Sequence, residues 1–144
     1  MSRKNHKIYA VIVTWNAMRH SWIDRCLRSL RASTVAVTPV VVDNCSTDGT
    51  RSHVPSAYPD AVWLPQDANL GFGQANNVGL RYAMEHGADH VLLLNQDAAV
   101  LPGTIALLLG QSDGRSLMSP VHMNGDGTAL DANFGKNTVV MQEG

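Results

Sequence analysis

The chain has 144 residues, of which 44% are hydrophobic and 16% charged, with a formal net charge of −1 and a pI near 6.6. That length supports a real core in one domain, and the near-neutral charge excludes partners held by a broad cationic surface, nucleic acid first among them. Two cysteines, Cys26 and Cys45, are too few for a disulfide framework and suit a reducing compartment.

The start, Met1 to Lys7, is basic, but the apolar run after it, Ile8 to Thr14, is too short for a signal-peptide core. No segment approaches the roughly 20 apolar residues of a membrane span. A cytoplasmic location is expected, with peripheral association at the inner face of a membrane left open. Arg25, Arg28 and Arg31 recur at helical spacing behind Arg19, and a solvated helix face accounts for them better than a membrane or phosphate patch.

Ile8 to Val13 is rich in β-branched residues and reads as a buried first strand, ending in Thr14-Trp15-Asn16. Ser21 and Asp24 stand in the relation of a capping box. Trp22, Ile23, Cys26, Leu27 and Leu30 then recur at helical spacing, so a helix over about Ser21–Ser33 is predicted. Cys26 falls among its apolar positions and reads as a small core residue.

Thr38-Pro39 opens a second strand, Val40-Val41-Val42, because proline is tolerated at a strand start. It ends in Asp43-Asn44-Cys45-Ser46-Thr47-Asp48-Gly49-Thr50, dense in turn formers and caps. A short helix around Thr50–Ser56 follows, then a third strand, Val62-Trp63-Leu64. The glycines of Asn69-Leu70-Gly71-Phe72-Gly73-Gln74-Ala75-Asn76-Asn77-Val78-Gly79 suggest a tight loop opening a helix. Ala75, Val78, Ala83 and Met84 lie on that helix, and Gly87 ends it.

After His90, Val91 to Leu94 is a continuous apolar run, which reads as a strand buried on both faces in the middle of a parallel sheet. Asn95, Gln96 and Asp97 follow at once. A buried unpaired carboxylate is too costly, so these three must emerge at the carboxyl edge of the sheet, where open α/β sheets bind ligands. Leu101-Pro102-Gly103 starts another helix, with Ile105, Leu107, Leu108 and Leu109 expected to bury. Leu117 to Val121 suggests a further strand, Asn124-Gly125-Asp126-Gly127 a turn, and Thr138 to Met141 a strand-like piece. Alternating strands and helices predict a doubly wound α/β fold with a mostly parallel sheet flanked by helices.

Such a sheet brings its strand ends to one rim. They supply Thr14 and Asn16, Asp43 and Asn44, Asp67 and Asn69, and then Asn95, Gln96 and Asp97. The set is rich in carboxylate and carboxamide groups and holds no lysine or arginine. A rim of this kind suits a base and ribose, or a hard divalent ion bound through oxygen that neutralises a diphosphate. Asn44, Ser46, Thr47 and Asp48 are equally well explained as caps and turn residues. Asp97 directly follows a buried strand and caps no obvious helix, which favours a functional role.

Competing motifs are weak. Gly71-Phe72-Gly73-Gln74-Ala75-Asn76 only partly fills a dinucleotide fingerprint and follows the wrong strand. No P-loop, serine-hydrolase elbow or zinc-ligand spacing is present, and the six histidines are scattered.

Taken together, Val11 to Asn16, Val41 to Thr50, Asn69 to Gly79 and Leu93 to Asp97 resemble the family 2 glycosyltransferases, and within them the rhamnosyltransferase-like branch. The resemblance implies a GT-A fold, Rossmann-like, and inverting transfer of a sugar from a nucleotide diphosphate to a hydroxyl of a cell-surface polysaccharide or glycolipid. It implies that Thr14 and Asn16 lie beside the nucleotide, that Asp43 bonds a pyrimidine base with Asn44 nearby, and that Asn69, Gly71 and Asn76 line the diphosphate and sugar side. Asn95-Gln96-Asp97 stands where that family has its D-x-D motif. Asp97 would bind Mg²⁺ or Mn²⁺, with Asn95 replacing the first aspartate by a neutral oxygen.

The implied partners are a dTDP-, UDP- or GDP-linked sugar and a glycan or lipid-linked acceptor; a homodimer is left open. Only 47 residues follow Asp97. The family's catalytic base lies downstream, and Asp113, Asp126 and Asp131 read better as turn residues, so the base is unknown. Residues 1–144 are therefore expected to form a single nucleotide-sugar-binding GT-A domain without its acceptor half. The rivals are a non-catalytic nucleotide-sugar-binding module and a nucleotidyltransferase. The latter wants a basic glycine-rich loop after the first strand, and Trp15-Asn16-Ala17-Met18 is not one.

Overall fold

Apolar β-branched runs build the sheet. β1 (Ile8–Thr14) is buried along its whole length, and β2 (Thr38–Asp43) is buried from Pro39 onward. They pair in parallel with Thr14 opposite Asp43. β3 (Val62–Pro65) pairs with the outer side of β2, and β4 (His90–Leu93) with the outer side of β1. The order is therefore β3-β2-β1-β4, all parallel. The computed structural model of the protein describes residues 5–132, and the chain divides into two compact units, Met1–Ala106 and Leu107–Gly144.

The helices follow from the strand order. Right-handed crossovers from β1 to β2 to β3 place α1 (Trp22–Arg31) and α2 (Thr50–Ala57) on one face. The crossover from β3 back to β4 runs the other way, which puts α3 (Phe72–Glu85) on the opposite face. There Tyr9, Val11, Val13, Val40 and Val42 pack with Ala75 and Ala83 of α3. Ile23, Cys26, Leu27 and Leu30 form the buried stripe of α1, and Val54 is the buried anchor of α2. A Cβ on Gly79 would lie 2.3 Å from Val11 Cγ1, so only glycine lets α3 settle this closely on β1. Gly87, at φ +76°, takes the left-handed position that ends α3.

Several expectations are corrected. β4 is not in the middle of the sheet: among the described residues it is an edge, half-buried, with Leu93 52% exposed. An unbroken apolar run reports composition, and the central places go to β1 and β2. Ser21 does not form a capping box. It lies in the left-handed region at φ +53° and makes no side-chain cap. Asp24 instead accepts hydrogen bonds from Tyr58 Oη (2.7 Å) and from His53 Nε2 (2.8 Å), tying α1 to α2.

In α4 (Thr104–Gln111) only Ile105 is buried, while Leu107 is 71% exposed. Leu107, Leu108 and Leu109 are consecutive, and at about 100° per residue they cannot share one helix face. Leu117 to Val121 forms no strand and is exposed or half-buried throughout, since Pro120 removes a ladder donor. The turn at Asn124 to Gly127 is present, closed by Gly127 N–H donating to Asn124 O (3.0 Å), with a bridge between Met123 and Leu130. The strand-like piece Thr138 to Met141 lies outside the described residues.

Candidate functional site

The register sets where the strand ends lie. Thr14, Asp43 and Pro65 stand side by side across β1, β2 and β3, and β4 delivers Asn95, Gln96 and Asp97 beyond Leu93. Strand order reverses between β1 and β4, and the crevice at that reversal is the standard ligand position of an open α/β sheet. An open cleft of about 380 Å³ lies there. Its polar lining is Asn44, Asn69, Asn95, Gln96 and Asp97, and its apolar lining is Val13, Trp15 and Phe72.

The floor beside the cleft is held by buried hydrogen bonds. Asp43 is fully buried and accepts from Thr14 Oγ1 (3.3 Å), Ser46 N–H (3.2 Å) and Arg51 Nε (2.7 Å). Arg51 also donates to Gln66 O. The rim therefore does hold a cation, contrary to the sequence expectation. Arg51 sits in the first turn of α2, eight residues after Asp43, and the loop folds it back onto the strand end. Asn16 sits at φ +48°, and its Oδ1 accepts from Thr47 N–H (2.8 Å) and Asp48 N–H (3.3 Å). Asp48 accepts in turn from Met18 N–H (3.2 Å) and Thr50 N–H (2.9 Å). Asn16, Ser46, Thr47 and Asp48 thus stitch the β1 loop to the β2 loop.

Nearer the cleft, Asn44 donates to Asn69 Oδ1 (2.8 Å) and accepts from Leu70 N–H (2.7 Å). Asn69 Oδ1 also accepts from Gly71 N–H (2.9 Å), so it shapes the turn into α3, where Gly71 takes φ +77°. Asn76 is buried in α3 and donates to Phe72 O (3.0 Å). Gln96 Oε1 accepts from Trp15 N–H (2.9 Å) and its Nε2 donates to Trp15 O (3.3 Å). Asn95 and Asp97 are exposed at the cleft. Beneath them Cys26 Sγ donates weakly to Asn95 O (3.6 Å); burial, with Asp97 nearby, pushes that thiol up to about 12.

The structure thus brings Asn44, Asn69, Asn95, Gln96 and Asp97 to one cleft. Thr14 and Asp43 lie buried at its base edge, and Asn16, Gly71 and Asn76 support its loops. Sequence reading missed Trp15, Phe72 and Arg51. Trp15 lay directly after a predicted strand end, and Phe72 between two glycines; both positions pointed to exposure.

A hard divalent ion fits the Asp97 carboxylate, with the Asn95 carboxamide oxygen beside it as a neutral ligand. Among the described residues no three His, Cys, Asp or Glu side chains gather into a cage. Magnesium-type ions seldom need one, because one or two carboxylates and the substrate phosphates suffice. Among the described residues no donor occupies the Asp97 carboxylate, so its oxygens are open to a cation.

Residues 9–119 match the model of glycosyl transferase family 2. The chain belongs to that family. Among relatives of this family 2 chain, an N-acetylglucosaminyl-diphospho-decaprenol L-rhamnosyltransferase of Mycobacterium tuberculosis is 35% identical over 108 residues, 69% of this chain and 34% of the relative. A dTDP-rhamnosyl transferase of Shigella flexneri is 31% identical over 96 residues, 67% of this chain and 31% of the relative. Among solved structures, a mannosyltransferase of Pyrobaculum calidifontis in complex with GDP-Man and Mn²⁺ superposes with a TM-score of 0.59 at 26% identity, over 69% of this chain and 30% of that one. The family 2 chain spans about a third of the length of the curated relatives it matches. Among the described residues no helix is long and apolar enough to cross a membrane.

Proposed function

We propose that this chain is the donor-binding half of an inverting glycosyltransferase that uses a nucleotide-diphosphate sugar. The observation that carries the reading is the cleft at the strand-order reversal, where Asn69, Asn95 and Asp97 converge from separate strand ends. Asp97, with the Asn95 carboxamide oxygen, would hold Mg²⁺ or Mn²⁺, which would supply Lewis-acid stabilisation of the leaving diphosphate. The nucleotide lies along Asn16 and Asn44, over the floor that buried Thr14 and Asp43 brace, and the diphosphate and sugar lie toward Asn69, Gly71 and Asn76. In the transfer, an acceptor hydroxyl oxygen bonds the anomeric carbon as the bond to the diphosphate oxygen breaks. The hydroxyl proton passes to a base that we do not assign. Residues 1–144 act as one donor-binding domain, at the cytoplasmic face of the membrane, on a glycan or lipid-linked acceptor. The rhamnosyl relatives favour a deoxyhexose donor.

Calorimetric titration with UDP, dTDP and GDP in Mn²⁺ tests the reading. Binding of at least one, weakened in Asp97→Ala, is expected; no binding to any overturns it. Among the described residues the cleft lining holds no carboxylate besides Asp97, which favours a second reading, a binding module without turnover. Sugar release from a bound donor by this chain removes that alternative.

A further inference from the structure

We infer that Ser29, on helix α1, is a positioning residue of the donor site: through the Val100 amide it fixes the turn that presents the Asp97 carboxylate at the cleft. The inference rests on the donor site proposed above and adds a residue outside the cleft on which that site depends.

The β1–β4 ladder ends where Leu94 N–H donates to Val11 O (3.0 Å), and α4 does not begin until Thr104. Between them no strand or helix holds the chain. A turn closes within this stretch, Ala98 N–H donating to Asn95 O (3.0 Å), with Gln96 and Asp97 at its two corners. On the upstream side Gln96 ties the turn to the Trp15 backbone. On the downstream side the anchors come from α1 and the residues just after it. Ser29 Oγ accepts from Val100 N–H (3.1 Å). Thr34 N–H (2.9 Å) and Thr34 Oγ1 (3.1 Å) both donate to Pro102 O. Cys26 Sγ also reaches Asn95 O, but a thiol is a weak donor.

Of the downstream anchors, Ser29 holds the chain closest to Asp97. A serine hydroxyl has one proton to give. Ser29 gives it to Cys26 O (2.7 Å), one turn back in its own helix. The oxygen is thereby held in place, with its lone pairs left for Val100. Asp97 has no such hold of its own. Its side chain is exposed at the cleft, and its direction is inherited from the backbone on either side. Groups that orient a metal-binding side chain are worth on the order of 10- to 100-fold in metal affinity. Ser29 acts through the backbone and belongs at the lower end of that range.

The test follows Mn²⁺ binding to the whole chain by paramagnetic resonance, with UDP, dTDP and GDP supplied in turn. Ser29→Ala is expected to weaken Mn²⁺ binding by on the order of tenfold. Ser29→Thr keeps the hydroxyl and should stay near wild type. His53→Ala removes a different tie of α1, the hydrogen bond to Asp24. It should lower the thermal midpoint and leave Mn²⁺ affinity unchanged, which separates aim from general stability. In wild type, hydrogen exchange at the Val100 amide should slow when Mn²⁺ is added to the nucleotide-saturated chain, because linkage is reciprocal. That measurement reads the contact even where Ser29→Ala does not fold. Unchanged Mn²⁺ affinity in Ser29→Ala, an equal loss in His53→Ala, or Val100 exchange indifferent to Mn²⁺ overturns the inference alone. Failure of wild type to bind Mn²⁺ with any of the three nucleotides overturns the donor-site reading and the inference with it.

Discussion

The Gln96 side chain is joined to the Trp15 backbone at both of its amide positions, accepting at 2.9 Å and donating at 3.3 Å. It prolongs the β1–β4 ladder by one rung after the strands themselves have parted, and it fixes the chain that carries Trp15 into the cleft. Gln96 therefore positions its neighbours, and its amide keeps one donor and one acceptor site toward the cleft that it lines. Gln96→Ala is expected to cost about 1 kcal/mol, the net value of an ordinary hydrogen bond, in chemical denaturation. Nucleotide affinity should fall with it. Gln96→Glu keeps the acceptor but loses the donor, and should fall between wild type and alanine in stability.

Gly79 and Val11 set a second limit. An alanine methyl at position 79 would meet Val11 Cγ1 at 2.3 Å and Val42 Cγ2 at 3.2 Å. Overpacking of this kind costs about 1–3 kcal/mol. Gly79→Ala should lower the denaturation midpoint, and adding Val11→Ala should recover part of the loss. Independent, additive losses in the double variant would show that α3 does not rest on β1 in this way.

Arg51 shields a carboxylate that has no access to water. Its side chain is 42% exposed, while that of Asp43 is fully buried. Removing the guanidinium leaves Asp43 with only Thr14 and Ser46 as donors. Arg51→Ala is expected to cost about 2 kcal/mol, in the range for a hydrogen bond to a charged group. Arg51→Lys should recover only part of this, because a lysine cannot place two donors on Asp43 and Gln66 in one plane. The readout is urea denaturation at neutral pH.

The two cysteines should differ in reactivity. Cys26 is fully buried and its thiol is pushed up to about 12, by burial first and by the Asp97 charge second. Only the thiolate reacts, so Cys26 should resist iodoacetamide at pH 8, whereas half-buried Cys45 should be labelled. Mass spectrometry is expected to find one adduct on the native chain and two after unfolding in urea.

Asp24 gives a pH dependence. Burial raises its carboxyl, but the hydrogen bonds from Tyr58 and His53 outweigh it and hold the group below its ordinary value of 3.8. A carboxylate lowered on folding adds stability that is complete above its unfolded value and is lost as pH falls through the folded one. The contribution should therefore fade below about pH 4. Asp24→Asn should lower stability at pH 7 and narrow its gap to wild type in strong acid, as followed by thermal melts.

Much of this architecture is legible in the residues. The valine-rich runs mark β1 and β2, the spacing of Ile23, Cys26, Leu27 and Leu30 gives α1, and polar groups after each strand foretell a shared rim. Lateral order is not legible, because periodicity reports which faces are buried and not which strands are neighbours; β4 therefore reads as central although it lies at an edge. Nor does a list of polar residues tell which are already engaged. Gln96, Asn16 and Asn44 each hold internal partners that the order of residues does not announce. Arg51 was hidden for the converse reason, since its place at the rim depends on how the loop after Asp43 folds.

The outward side of β4 carries amide and carbonyl groups that no described residue pairs, beside the half-bare Leu93 side chain. A bare strand margin of this kind is a template for another extended chain. At high concentration, this polypeptide should cling to copies of itself along that margin, and a lysine at Leu93 should keep it dispersed.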